Sequence, residues 1–463
     1  MYSDLRYLLI DLPEDISRLK AAGYFERARR VIDKRLQKQL PLALRKRLEL
    51  EKEILARMSS HYPHSYDRAL SLLSSAFRDF GPEELEALWE EDALDWIFIE
   101  GKPFFKDDIV ANLVKTRKEL AARVTDPSFL RDKEGNFSLL DETIAKMKRQ
   151  GTLAYRIRIR TVLTVRPESV EKGRTVRVHL PIPVEYAQVR DFKLLDAGPA
   201  PKFVAAPDYP QRTVYFEERL QPGREFFVEY EYVNRMDYVE ARPEAAADAQ
   251  PTFYTEEHAP HVVFTPYIRD LAAELAGDEK NPLLRARRVY DFLTTRIIYS
   301  FVRPYFTIPA IPAYAVTGLK GDCGIQALTF ITLCRALGIP ARWQAGLYVN
   351  PRSIGNHDWA QFYVAPYGWL FADCSFGGAA WRAGAEERWN FYFGNLEPFR
   401  MPANSDFQFD FNPAKKFRRC DPYDNQNGEV EYEHRGLGSE EYSTVHKVVS
   451  IEELEDRELR GHP

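Results

Sequence analysis

Apolar positions recur every three or four residues through the first third of the chain. Phe25, Ala28, Ile32 and Leu36 form one such stripe, and Leu44, Leu48, Leu55 and Met58 form another. Pro13, Gly23, Pro41, Pro63, Pro82 and Pro103 punctuate the pattern, and Gly81-Pro82-Glu83-Glu84 places proline and acids where a helix starts. Residues 1–150 are therefore expected to form a helical domain, with Trp89 and Trp96 as core bulk. From Leu153 the period drops to two: Tyr155, Ile157, Ile159, Thr161, Leu163 and Val165 alternate with Arg156, Arg158, Arg160, Val162 and Thr164. Short strand-like runs follow at 175–180, 187–195, 213–216 and 226–233, parted by glycine and proline turns, which predicts a β-sandwich over 151–240. Residues 241–256 are poor in large apolar side chains and bounded by prolines, and read as a linker.

Beyond the linker the pattern mixes both periods. Asn281-Pro282 is an N-cap and first-turn pair, and Ala286, Val289, Tyr290, Leu293 and Ile297 give the next helix one apolar face. Asp322 can cap a second helix carrying Ile325, Leu328, Ile331 and Leu337, which Gly338 and Pro340 end. Two β-type runs, His357–Val364 and Trp369–Asp373, flank a Pro366-Tyr367-Gly368 turn signal and predict a hairpin. The domain at 257–400 should thus be α+β. A C-terminal extension over 401–463 starts aromatic, with Phe407, Phe409 and Phe411, and becomes polar, with a strand-like run near Tyr442–Ile451 and a charged, frayed end.

Composition changes this picture little. A chain of 463 residues suggests about three domains. A formal net charge of −5 points to neither nucleic acid nor an anionic membrane as partner. Asp11, Glu14 and Asp15 come too early for a secretory leader, and no run is apolar enough to span a bilayer, so a cytoplasmic location is expected. The four cysteines, Cys323, Cys334, Cys374 and Cys420, lack zinc spacing and fit a reducing compartment. No metal is expected, because Pro63 interrupts His61/His64 and Pro260 interrupts His258/His261.

Candidate chemistry lies between Gly321 and Asp373. Cys323 falls in the first turn of its helix, where free amides and the dipole favour a thiolate, and the backbone N–H of Cys323 can face a developing oxyanion. Cys334 lies inside the helix as a core thiol. If the hairpin pairs so that partner numbers sum to 730, His357 stands opposite Asp373, with Cβ atoms about 5 Å apart. A turn centred on Tyr367 would set Asp373 against Gln361 instead. In the first register Cys323 attacks an acyl carbon, His357 keeps it ionised and protonates the leaving group, and Asp373 orients the imidazole.

These residues resemble the transglutaminase-like superfamily. The likeness rests on Tyr299, Gly321-Asp322-Cys323, the helix end running from Cys334-Arg335-Ala336-Leu337 through Gly338-Ile339-Pro340 to Ala341-Arg342, His357-x-Trp359, Gly368-Trp369 and Asp373. It implies a papain-like core with Cys323, His357 and Asp373 as catalytic residues, preceded here by a helical and a β-sandwich domain. Trp359 and Gln361 are expected on the substrate side, Gln361 standing where the family often has glutamate. Cys374 stands where proline often follows the aspartate. Tyr299 and Tyr305 are candidates for a second oxyanion donor.

The expected function is a thiol-dependent acyl-transfer enzyme without cofactor, most simply a peptidase or amidase cleaving a peptide or isopeptide bond in a peptide or protein substrate. An amine-accepting transglutaminase or amide synthase would use the same three residues. An idle peptide-binding module is the reading from another class. Oligomeric state is not legible.

Overall fold

A computed structural model describes residues 2–129 and 133–455. Helices dominate the first 150 positions, as the period predicts, including Glu14–Ala21, Phe25–Leu36 and Leu42–Met58. They enclose a three-stranded antiparallel sheet, however, built from His64–Ser65, Lys102–Phe105 and Trp96–Ile99. The physical reason is local: Glu100 and Gly101 both take positive φ, 49° and 76°, and make the two-residue turn that a twisted hairpin needs. The spacing at His61 and His64 thus marks the entry to a strand. His64 faces the Asp107 carbonyl oxygen at 3.3 Å.

Two four-stranded antiparallel sheets form the sandwich. One runs Tyr442–Glu453, Thr152–Val165, Glu225–Asp237, Val189–Gly198, and the other Glu429–Tyr432, Thr175–Pro181, Thr213–Arg219, Phe203–Val204. Each sheet therefore takes an outer strand from the C-terminal extension, the expected strand near 442–451 pairing along Thr152–Val165 through residue 453, while the charged end beyond 455 lies outside the described residues. The arginine row is neutralised across the sheet: Arg158 donates to Glu229 from Nε at 2.6 Å, and Arg160 from Nη1 at 2.9 Å.

The core that carries the candidate chemistry is a five-stranded antiparallel sheet ordered Phe393–Gly394, Gly368–Ala372, Ile354–Val364, Ala341–Val349, Arg400–Asn404. The helix Cys323–Ala336 lies against it, buried from Gly324 to Arg335. Asp322 caps this helix by accepting the Ile325 N–H at 3.1 Å. Gly338, at φ 75°, closes it, with the Ile339 N–H on the Cys334 carbonyl at 2.9 Å. Asn281 caps the earlier helix Pro282–Arg296 at Leu283 and Leu284.

The 241–256 stretch is pinned along the hairpin. Tyr367 accepts the Arg242 N–H, Ala365 exchanges bonds with Ala247 and Gln250, and Phe253 packs on Tyr363 and Trp369. Side chains from the first helices, among them Leu48 and Ile54, belong to the same apolar core as Ile325 and Trp359. The helical and sandwich segments consequently brace the core directly. Among the described residues no helix is long and apolar enough to cross a membrane.

Candidate active site

The hairpin pairs with sums of 732: Ala360 faces Ala372, Phe362 faces Leu370 and Val364 faces Gly368. This corrects the expected register by two residues. A shift of two keeps every side chain on its face, so His357 still reaches Asp373, diagonally and past the end of the ladder. His357 Nε2 lies 2.7 Å from Asp373 Oδ2, with both groups buried. The chain leaves the sheet at Asp373 because its carboxylate caps the helix Cys374–Arg382, Oδ1 accepting from Phe376 N at 2.9 Å and Ser375 Oγ at 3.1 Å.

A fourth group completes this pair. Arg400, fully buried on the far edge strand, places Nη2 2.9 Å from Asp373 Oδ2 and 3.1 Å from Glu397 Oε1. Its guanidinium also lies over the Phe376 and Tyr348 rings. Burial alone would raise the Asp373 carboxyl, but the charges of His357 and Arg400 outweigh it and hold the group below its ordinary value. Burial lowers His357, more than Asp373 raises it, and Arg400 adds to the lowering. The lowered His357 favours a neutral imidazole that donates Nε2–H to Asp373 and leaves Nδ1 as acceptor.

Cys323 is the first residue of its helix and half-buried. Its Sγ hydrogen bond goes to Asp358 Oδ2 at 3.3 Å, the residue beside His357, and not to the imidazole. Nor is the thiol acidified, as the helix dipole alone would predict. Burial, then the charges of Asp358 and Asp322, push it well above its ordinary value. Of the two tyrosine candidates, Tyr305 donates to Asp322 Oδ1 at 2.5 Å and so belongs to the helix cap. Tyr299 lies beside the thiol, and burial followed by the Cys323 and Asp322 charges raises its phenol.

Trp359 and Gln361, expected on the substrate side, are 0 % and 1 % exposed. Trp359 stacks on His357 with ring centroids 6.0 Å apart and donates to Gln344 Oε1 at 2.6 Å. Gln361 Oε1 accepts from Tyr186 at 2.7 Å and Arg342 at 2.9 Å. Strand alternation does put them on the histidine's face, but that face turns inward here, and only Trp359 packs on the imidazole. Phe407 packs on His258 and Trp343, and Phe411 on His179, so the aromatic stretch covers core edges.

Three further groups reach the site from distant positions. Gln426 donates Nε2–H to Asp358 Oδ1 at 2.7 Å. Lys115, from the helix Ile109–Thr116, lies 3.6 Å over the Tyr299 ring. Asn112 on that helix accepts the Phe301 N–H at 2.9 Å. No local sequence pattern marks Asp358, Arg400 or Gln426 as part of the site. Among the described residues no three His, Cys, Asp or Glu side chains form a metal-holding group.

Residues 269–374, which include Cys323, His357 and Asp373, match the family model described as the transglutaminase-like superfamily. The segment 269–374 therefore matches a transglutaminase-like core within a chain whose described fold is α+β. Among solved structures it is similar to a candidate cysteine protease from Cytophaga hutchinsonii, at 15% identity and a TM-score of 0.40, over 66% of this chain and 91% of that one. It is also similar to the periplasmic domain of TgpA from Pseudomonas aeruginosa, at 17% identity and a TM-score of 0.28, over 53% of this chain and 94% of that one. No curated protein matches the chain.

Proposed function

We propose that this protein is a thiol acyl-transfer enzyme, a peptidase or amidase that cleaves a peptide or isopeptide bond in a peptide or protein substrate through a thioester on Cys323. The observation that carries the reading is the buried His357–Asp373 pair, 2.7 Å apart, with the residue after His357 holding the Cys323 sulfur. Sulfur attacks the acyl carbon, and the first-turn amides of the cysteine helix face the oxyanion. His357, neutral and oriented by Asp373, takes the Cys323 thiol proton and delivers it to the leaving amine, then activates the water that opens the thioester and returns the proton to the departing sulfur. An amine in place of that water would make the same site an amide-forming transferase. Four free cysteines are consistent with a reducing compartment, and we place the enzyme in the cytoplasm on that basis.

One observation favours a second reading, an idle peptide-binding module: the resting sulfur is bonded to Asp358 and not to His357. A thiol-directed activity probe decides between them. Covalent labelling of the wild type that disappears in Cys323→Ala is the expected result, and a folded wild type that stays unlabelled would sink the enzyme. Mass spectrometry of the acyl products with and without a primary amine then separates hydrolysis from transfer.

A further inference from the structure

Asp358 is 4 % exposed and has each carboxylate oxygen engaged. Oδ2 takes the Cys323 thiol at 3.3 Å, and Oδ1 takes the Gln426 amide at 2.7 Å. Gln426, itself buried, also lies 3.4 Å from the His357 carbonyl oxygen, so one side chain from the C-terminal extension ties down two successive residues of the histidine strand. The space around the carboxylate is tight as well. A Cβ on Gly324 would sit 2.8 Å from Asp358 Oδ2 and 2.3 Å from Tyr305 Oη, so the glycine after the nucleophile is what admits the carboxylate. Neither a one-residue turn of the strand nor a chance rotamer accounts for a group held from three sides.

We propose that Asp358, fixed by Gln426, is a positioning residue that stores Cys323 as a neutral thiol, its sulfur turned toward Asp358 and away from His357 until an acyl substrate arrives. The proposal rests on Cys323 being the nucleophile. A thiol that donates to a carboxylate is a poor nucleophile, because ionising it would set two negative charges within hydrogen-bond distance in a desolvated site. Asp322, at the thiol's own helix end, makes that cost larger. Tyr299 and Tyr305, from the preceding connection, face the thiol as neutral phenols, and Asp421 and Asp424, from the C-terminal loop, lie against Asp358. Against them stand Lys115, near Asp322 and His357, Arg419, near Asp424, and Arg400, which is engaged with Asp373 and Glu397. Burial and then the Asp322 charge drive Asp358 upward, opposed by the hydrogen bond it accepts from Cys323. Release of the sulfur to His357 becomes a step that substrate binding must drive, which keeps an otherwise half-exposed cysteine unreactive between turnovers.

Alkylation by iodoacetamide reads this without a substrate. The rate at Cys323 is followed against pH by peptide mass spectrometry, which separates it from Cys334, Cys374 and Cys420. Asp358→Asn keeps the shape, leaves an oxygen for Gln426, and turns the group facing sulfur from acceptor to donor. The expected result is an alkylation midpoint at least about one pH unit lower than in wild type, hence roughly ten times faster labelling at a pH below both midpoints. Gln426→Leu should shift it in the same direction and by less, because Asp358 is no longer held against the thiol. An unmoved or raised midpoint in Asp358→Asn overturns the proposal. If that variant does not fold, as read by thermal melting, Gln426→Leu decides by the same criterion. Failure of the wild type to form any acyl-enzyme would strike the enzyme reading while leaving a lowered midpoint in place. An unmoved midpoint beside a normal acyl-enzyme would strike only the stored thiol.

Discussion

Arg400 Nη2 and Asp373 Oδ2 lie 2.9 Å apart with both side chains entirely removed from solvent, and the same carboxylate oxygen takes His357 Nε2 at 2.7 Å. A single oxygen thus links the imidazole to a buried cation on the opposite edge of the sheet. Glu397 shares that cation. Removing the arginine leaves two buried carboxylates facing one another, which is far costlier than never having had the charges. Arg400→Met is therefore expected to destabilise the chain by about 3–5 kcal/mol in urea unfolding, and to raise the Asp373 carboxyl. Arg400→Lys, which keeps the charge and loses the fork, should cost less. A loss below about 1 kcal/mol for the methionine variant would mean that the cluster is not held by this cation.

Gly324 gives a finer test of the sulfur's surroundings. Its missing side chain is where Tyr305 Oη and Asp358 Oδ2 approach, so Gly324→Ala must displace one or both. The Tyr305 bond to Asp322 and the Asp358 bond to Cys323 are both expected to lengthen. Overpacking of this kind costs about 1–3 kcal/mol. Labelling of Cys323 by a thiol probe should change in rate while the helix content by circular dichroism stays constant. Unchanged stability and labelling would show that the pocket yields without strain.

His261 makes acid stability measurable at one residue. It is 1 % exposed, and its Nδ1 accepts the Ile311 N–H at 3.2 Å. Burial, with a small contribution from His258, lowers its pKa to about 3. The unfolded chain has the ordinary value near 6.5, so between the two the unfolded state binds the extra proton. Stability from this group is complete above about pH 6.5 and is lost as pH falls toward 3, at about 1.4 kcal/mol per pH unit. His261→Asn keeps an acceptor for Ile311 and cannot titrate. Between pH 6.5 and pH 5 it should lose about 2 kcal/mol less than wild type in urea unfolding. Parallel curves for the two proteins would remove His261 from the acid limb.

Which features were legible follows from the range of the forces involved. Helix Cys323–Ala336 and its cap at Asp322 rest on contacts within four residues, and the sequence shows both. The hairpin register missed by two because parity is set by burial, whereas the turn centre, at Pro366, depends on how Ala365 meets Ala247 and Gln250, more than a hundred positions earlier. His357 met Asp373 regardless, since a shift of two preserves the face. The thiol was misjudged for a different reason. A helix dipole is worth up to about 2 kcal/mol, and burial followed by the charges of Asp358 and Asp322 opposes it here. Arg400 and Gln426 act across 27 and 68 positions, and no local pattern announces such contacts.

The strand Tyr442–Glu453 allows the C-terminal extension to be divided by function. It pairs along nearly the whole of Thr152–Val165, and Tyr442, 5 % exposed, donates its hydroxyl to the Gly428 carbonyl at 3.1 Å. Val448 and Ile451 pack on the sandwich core beside Ile157 and Ile159. A chain ending at Gly438 would keep Gln426 and the strand Glu429–Tyr432 but leave the N–H and C=O groups of Thr152–Val165 open along an apolar edge. Such a chain is expected to melt several degrees lower and to scatter light on concentration, as unpaired edges recruit other copies. The alkylation midpoint of Cys323 should stay where it is in the full chain, because Asp358 keeps its partner. A soluble truncated chain with wild-type melting would make the strand dispensable. A shifted midpoint would mean that the outer strand, through Tyr442 and Gly428, is what seats Gln426 on Asp358.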